Sequence, residues 1–123
     1  SAFIVFDDFT DIPRAACTVA GSMFFNQGES CNAPSRVLVH ESVADEFIAI
    51  VAAEAPTYQP GDPLGGSAPM GALVDDGQLR TVLGYIDAGH TDGARLIAGG
   101  QQVRAETGGC YVEPGGRGRC STA

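Results

Sequence analysis

The chain has 123 residues, of which 44% are hydrophobic, and its net charge of −8 comes from 15 acidic residues and seven arginines. This length fits one domain, and the composition is that of an ordinary globular protein. The acidity argues against a nucleic-acid binder, because phosphate binding needs clustered positive charge. No apolar run approaches the roughly 20 residues of a membrane span, and no basic leader precedes Ser1, so we expect neither membrane insertion nor export.

The beginning of the chain predicts a strand followed by a helix. Ala2–Phe6 is a continuous apolar run, which is typical of a strand buried on both faces of a parallel sheet. Apolar residues then recur at helical spacing, which predicts a helix from about Ile12 to Phe25. Thr10 or Asp11 can cap this helix, and Gly28 breaks the pattern after its end.

A second strand and helix follow directly. Val37–Val39 is the apolar strand, and Ser42 with Asp45 three residues later resembles a capping box for a helix that Pro56 ends. The order strand, helix, strand, helix is the signature of parallel strands joined by crossover helices. The predicted fold class is therefore α/β, an open, mostly parallel sheet with flanking helices.

The rest of the chain gives weaker signals. Residues 58–71 are rich in Pro and Gly and predict an ordered surface loop, and residues 79–86 carry the clearest amphipathic helical face. Arg95–Ala98 predicts a third strand, and Cys110–Val112 predicts a brief fourth one. Residues 115–123 have no apolar period, so the interpretation is one domain over residues 1–114 and an irregular or disordered tail after it.

The four cysteines, at positions 17, 31, 110 and 120, form no Cys-x-x-Cys pair and no zinc-type array. Disulfides are not expected in a chain with this much ordinary core, which favours a reducing, cytoplasmic location. Cys17 has apolar neighbours on the first predicted helix and is predicted to pack there. Cys110 and Cys120 are interpreted as incidental.

Cys31 has different surroundings, because its neighbours Glu29, Ser30 and Asn32 make a polar turn between the first helix and the second strand. A thiol in such a loop is a candidate nucleophile. Glu29 could serve as its base, but a solvated or structural carboxylate is the favoured interpretation. Asn26 and Asn32 could donate to an oxyanion, although such residues more often satisfy turn backbone.

The two histidines offer the alternative of a cysteine hydrolase, in which a histidine pairs with Cys31. His40 follows a strand that runs away from the cysteine turn, and His90 ends a helix much later in the chain. Structural or solvent-exposed roles are therefore favoured for both.

The stretch around Cys31 resembles the active-site cysteine motif of the aldehyde dehydrogenase superfamily. That motif is an aromatic residue, three residues of any kind, Gly, Gln or Glu, any residue, and Cys, and here Phe24, Gly28, Glu29 and Cys31 fit it. Pro34 departs from the family, which commonly has a smaller residue there. The resemblance covers residues 1–114, with further matching stretches at Ser1–Asp8, Arg36–Ser42, Gly61–Leu64, Met70–Val74 and Gly108–Pro114.

The resemblance implies a partial aldehyde dehydrogenase catalytic domain in which Cys31 attacks an aldehyde to form a thiohemiacetal and then a thioester. It also implies NAD or NADP as cofactor and a homo-oligomer for the full-length protein, and it leans towards aminobutyraldehyde and betaine-aldehyde types. The family's general-base glutamate and dinucleotide-binding domain would lie outside this chain, so we expect the isolated chain to be inactive. The alternative is a non-catalytic α/β remnant or interaction module.

Overall fold

The computed structural model describes residues 1–118. Short 3-10 turns join several of its elements, notably Phe25–Gly28 after the first helix and Ala55–Tyr58 after the second. In chain order the strands and helices are β1 (Ala2–Val5), α1 (Ile12–Phe24), β2 (Arg36–Val39), α2 (Glu41–Glu54), α3 (Asp76–Thr91), β3 (Arg95–Ala98), β4 (Gln102–Val103), β5 (Tyr111–Val112) and β6 (Gly116–Gly118).

A parallel pair of strands organises the first half of the chain. Ala2 lies opposite Arg36 and Val5 opposite Val39, so β1 and β2 run in the same direction in register. Parallel strands need a long crossover connection, which α1 provides. The predicted α/β class and its parallel strands are therefore confirmed. Instead of one open sheet, however, the described strands form three two-stranded sheets, one parallel and two antiparallel.

The main core lies between α1, α2 and one face of the β1–β2 pair. Small residues on α1 let the two helices approach each other closely, and Ala16, Val19 and Ala20 are fully buried. Phe47 of α2 fills the space beside them with 3% of its surface exposed. The buried members of this cluster are Val5, Ile12, Ala15, Ala16, Val19, Phe47 and Val51.

The prediction that β1 is buried on both faces is wrong in this structure. Val5 is 4% exposed, whereas Ile4 is 54% and Phe6 is 62% exposed. Successive side chains of a strand point to opposite faces, and α1 and α2 cover only one face of the pair. Leu38 of β2 is 51% exposed for the same reason.

The second helix is capped by a different residue from the one in the capping-box prediction. Asp11 caps α1 as expected, since its carboxylate accepts a hydrogen bond of 3.0 Å from the backbone N–H of Arg14. In α2, His40 Nδ1 accepts from the N–H of Ser42 at 3.3 Å. The capping box at Ser42 is wrong because the helix already begins at Glu41, which leaves His40 at the capping position.

A smaller core holds the second half together. Leu79 of α3 packs with Leu73 and Val112, and each of the three is less than a tenth exposed. The loop before α3 is ordered, as predicted, because Pro60 and Met70 form a β-bridge across it. Further along α3, Leu83 and Ile86 are partly buried against the same cluster.

Two of the strands in this half have no counterpart in the sequence interpretation. The predicted fourth strand is confirmed as β5, but its partner β4 was not predicted. The tail prediction is wrong for residues 116–118, because β6 pairs antiparallel with β3 through main-chain hydrogen bonds that need no apolar pattern. Residues 119–123 of the predicted tail lie outside the described residues.

Candidate active site

Cys31 occupies an exposed β-turn at the amino end of β2. The turn is closed by a hydrogen bond of 3.1 Å from the N–H of Ala33 to the carbonyl of Ser30. The hydroxyl of Ser1, at the start of β1, donates to the carbonyl of Cys31 at 3.2 Å. The thiol is therefore presented to solvent by a turn whose backbone is fixed on both sides.

Unusual backbone geometry leads into this turn. Asn26, Gln27 and Gly28 have φ angles of +48°, +59° and +78°, so three consecutive residues adopt the left-handed region. Only Gly28 does so without steric cost, and a side chain there would also approach the carbonyl oxygen of Met23 to 3.3 Å. For non-glycine residues such conformations cost of order 1 kcal/mol or more and need support from the surrounding structure.

That support comes from the segment before α3. Gln27 Nε2 donates a partly buried hydrogen bond of 3.0 Å to the carbonyl of Ala72. The N–H of Val74 points to Glu29 Oε1 at 3.5 Å. Sequence reasoning did not identify Gln27 as a contributor to the site, because its partner lies 45 residues away and only the tertiary fold brings them together.

The cysteine turn also has backbone donors without a partner. Within residues 1–118, the N–H groups of Ser30, Cys31 and Asn32 donate no hydrogen bond, while the neighbouring amides of Glu29 and Ala33 both do. Successive unpaired N–H groups in a turn form a concave site for negative charge. These three N–H groups are therefore available to donate to a ligand or to solvent.

The other sequence candidates are distributed over the molecule. Glu29 contacts the backbone of Val74, in keeping with the structural role that the sequence favours. His40 lies at the opposite end of β2 from Cys31, where its Nε2 is 4.0 Å from a carboxylate oxygen of Asp7. His90 is exposed in the last turn of α3. The structure brings neither histidine to the cysteine turn.

The packing role predicted for Cys17 is wrong. Cys17 is exposed, because the buried stripe of α1 runs through Ala16, Val19 and Ala20 and leaves position 17 on the solvent side of the helix. Cys110 is half-buried beside the smaller core. These three cysteines are free thiols, and Cys120 lies outside the described residues.

The N-termini of the two helices that follow β1 and β2 are unsuited to bind a nicotinamide dinucleotide. A dinucleotide-binding turn uses glycines and a helix N-terminus to approach the pyrophosphate. The connection between β1 and α1 has no glycine and carries Asp7, Asp8 and Asp11, whose carboxylates repel phosphate. His40 alone separates β2 from α2. These two turns are therefore unsuited to hold that cofactor.

The sequence model of the aldehyde dehydrogenase family matches residues 1–115, which include the cysteine turn and its supporting segment. The chain belongs to the aldehyde dehydrogenase family. Among curated relatives, it is 41% identical over 99 residues to the NADP/NAD-dependent aldehyde dehydrogenase PuuC of Escherichia coli. The aligned region covers 80% of this chain and 20% of the relative. It is 38% identical over 114 residues to a betaine aldehyde dehydrogenase of Cereibacter sphaeroides, covering 93% of this chain and 23% of the relative.

Solved structures agree with this family assignment. An indole-3-acetaldehyde dehydrogenase of P. syringae, in a cysteine-to-alanine variant with NAD+, is 52% identical with a TM-score of 0.90, over 94% of this chain and 23% of that one. A gamma-glutamyl-gamma-aminobutyraldehyde dehydrogenase of Burkholderia cenocepacia is also 52% identical, with a TM-score of 0.89, over 95% of this chain and 24% of that one. This aldehyde dehydrogenase chain thus spans about a fifth to a quarter of these relatives.

No helix within residues 1–118 is long and apolar enough to cross a membrane. The same residues contain no cluster of three or more His, Cys, Asp or Glu side chains that could hold a metal ion.

Proposed function

We propose that this chain forms the nucleophile-bearing part of an enzyme that oxidises an aldehyde to a carboxylic acid, with Cys31 as the nucleophile. The observation that carries the proposal is the exposed thiol in a turn whose own N–H groups have no partner among the described residues. Membership of the aldehyde dehydrogenase family supports the reaction class.

In the first step, the Cys31 thiolate attacks the carbonyl carbon of the aldehyde and a C–S bond forms. The carbonyl oxygen takes up the electron pair and becomes an oxyanion, to which the unpaired N–H of Cys31 donates. Removal of one such donor in another enzyme costs about 2.7–4 kcal/mol of transition-state stabilisation. Protonation of the oxygen gives the thiohemiacetal.

The conversion of this adduct to an acid needs groups beyond the cysteine turn. A bound nicotinamide dinucleotide would accept the hydride that leaves the adduct, and water activated by a carboxylate would hydrolyse the thioester on Cys31. The turns after β1 and β2 do not fit the dinucleotide. Glu29 lies two residues from Cys31 in the same loop and approaches the N–H of Val74 at 3.5 Å, which favours a structural role for its carboxylate. We therefore assign cofactor and general base to parts of a longer protein, of which this chain is a segment.

The substrate is proposed as a class, an aldehyde. The relatives are named for indole-3-acetaldehyde, gamma-glutamyl-gamma-aminobutyraldehyde and betaine aldehyde, so the shared region is compatible with several side chains on the reacting carbonyl. Three free thiols, two of them exposed, favour a reducing compartment such as the cytoplasm. A homo-oligomer of the longer protein remains part of the proposal.

The second candidate, a non-catalytic interaction module, is favoured by one observation. Ile4, Phe6 and Leu38 form an exposed apolar face on the β1–β2 pair, and apolar surface of this kind marks a contact with another polypeptide. The face can equally pack against the rest of an active dehydrogenase. Activity that depends on Cys31 therefore distinguishes the two candidates.

The test is a chimera of the E. coli relative PuuC in which this chain replaces the segment that it matches. We expect aldehyde-dependent formation of reduced dinucleotide by the chimera. Cys31→Ser should lower kcat by at least about a thousandfold, because a hydroxyl is a far weaker nucleophile than a thiolate. Cys17→Ser is the matched control, since it also removes an exposed thiol, and it should leave kcat unchanged.

Two outcomes would contradict the proposed function. One is activity that survives Cys31→Ser in the chimera. The other is a chimera that shows a cooperative thermal transition and binds NAD+ but oxidises no aldehyde.

The isolated 123-residue chain should show no dinucleotide-dependent oxidation of aliphatic aldehydes. The reason is that the turns after β1 and β2 do not fit the dinucleotide that would accept the hydride. Absorbance of the reduced dinucleotide measures the reaction. Formation that disappears in Cys31→Ser would overturn this expectation.

A further inference from the structure

We propose that Gln27 is a positioning residue that holds the Cys31 turn in its reactive geometry through its hydrogen bond to Ala72. The inference rests on the proposed function, because it gives Gln27 a role only if Cys31 is the nucleophile. It differs from that function in naming a residue that touches neither the thiol nor the substrate.

The backbone conformation at Gln27 shows why this segment needs support from other residues. Asn26 and Gln27 are consecutive non-glycine residues with φ angles of +48° and +59°. The left-handed region is sparsely populated by such residues and persists only where the surroundings fix it. Relaxation of these two residues would move the following turn, together with its thiol and its backbone N–H groups.

Ala72, which accepts the hydrogen bond from Gln27, is next to a residue that is buried and hydrogen-bonded. Ala72 precedes Leu73, whose side chain is 9% exposed within the smaller core. The N–H of Leu73 also donates to the carbonyl of Cys110 at 2.8 Å, next to β5. The Gln27–Ala72 hydrogen bond thus connects the cysteine turn to the core of the other half of the molecule.

Within the left-handed segment itself, the N–H of Glu29 donates a hydrogen bond of 2.9 Å to the carbonyl of Asn26. The other side-chain contacts around the cysteine turn are weaker or come after the strained residues. The approach of Val74 to Glu29 is exposed and 3.5 Å long, at the limit for a hydrogen bond. The Ser1 hydroxyl reaches the loop only at Cys31. Gln27 is therefore the side chain that acts directly on the left-handed segment from a partly buried position.

Three substitutions at position 27 test whether the N–H donor of this side chain supports the turn. Gln27→Met keeps its length and its Cβ but removes the N–H, and Gln27→Glu replaces the donor by an acceptor. Gln27→Lys keeps a donor at similar reach. All three leave the backbone equally disfavoured in the left-handed region, and Gln59→Met, at an exposed position, is the matched control.

The first measurement is hydrogen exchange in the full chain at the amides of Glu29 and Ala33, which hydrogen bonds protect in the loop. Gln27→Met and Gln27→Glu should raise these rates roughly fivefold, as loss of one ordinary hydrogen bond would do. Gln27→Lys and Gln59→Met should stay within about twofold of the unsubstituted chain.

The second measurement is the alkylation of Cys31 by iodoacetamide relative to Cys17, resolved by mass spectrometry. Cys17 is the internal reference, because it is exposed on α1 outside the loop. The ratio should fall roughly fivefold in Gln27→Met and recover in Gln27→Lys. In the chimera, Gln27→Met should lower kcat with little change in KM, and Gln27→Lys should restore kcat.

Exchange rates and alkylation ratios that do not change in Gln27→Met and Gln27→Glu would overturn the proposal. Equal acceleration of the amides of α1 and of the loop would also overturn it, since this would be global destabilisation. Equal alkylation of Cys31 and Cys17 in the unsubstituted chain would count against the proposed function instead. The exchange rates of Glu29 and Ala33 would still decide whether Gln27 holds the turn.

Discussion

The two halves of the molecule are held together by different means. The first half extends from the start of the chain to the 3-10 turn Ala55–Tyr58. It buries a continuous apolar stripe of α1 against α2 and the parallel strands. In the second half, α3 packs against β5 through a cluster with three buried residues, Leu73, Leu79 and Val112, and the short strands pair antiparallel. Dense side-chain burial therefore specifies the first half, and antiparallel backbone pairing contributes more to the second.

The largest difference should appear when one buried side chain is removed from each half. Phe47→Ala leaves a large cavity in the main core and should lower the free energy of unfolding by about 3–5 kcal/mol. Leu79→Ala should cost about 2 kcal/mol, because the smaller cluster can collapse around it. Urea denaturation measures both, with Leu64→Ala, at a position 95% exposed, as the control. An equal cost at the two sites would remove the distinction between the halves.

A smaller effect of opposite sign is expected in β6. The guanidinium nitrogens of Arg117 are buried, and none of them has a hydrogen-bond partner among the described residues. Buried donors without partners cost about 1–3 kcal/mol, so Arg117→Met should raise the free energy of unfolding by about that amount. Arg14→Met, on the exposed side of α1, is the control. A loss of stability on Arg117→Met would show that the arginine contributes to pairing with β3.

The smallest effect on stability is expected on the uncovered face of the first half. Phe6 is 62% exposed, so Phe6→Ser should change the free energy of unfolding by less than about 0.5 kcal/mol. It should nevertheless reduce self-association of the isolated chain, because exposed apolar strand surface promotes aggregation. Analytical ultracentrifugation over a range of concentrations measures this. A chain that is monomeric before and after the substitution would contradict the expectation.

Prediction from the sequence succeeded where burial produces a periodic pattern. The bounds of α1 and the position of β2 follow from apolar spacing, and Asp11 from capping chemistry. The motif around Cys31 identified the family that the comparisons then confirmed. These features depend on residues close together in the chain.

The features that were missed depend on contacts between distant residues. β4 and β6 pair through main-chain groups, which carry no side-chain signal. Cys17 has apolar neighbours in sequence, but the rotation of α1 turns it outward. The hydrogen bond of Gln27 joins residues 45 positions apart, and only the packed structure shows it.

The polarity of the β1–β2 pair has a consequence for protein engineering. Both strands run away from the cysteine turn, so the connection from Phe6 to Asp11 lies at the opposite end of the sheet. Four residues of extended chain separate the two ends by roughly 13 Å. A fluorescent reporter or an affinity tether attached at Asp8 would therefore leave the cysteine turn untouched. The same attachment near Ser1 would disturb the turn through its hydrogen bond to Cys31.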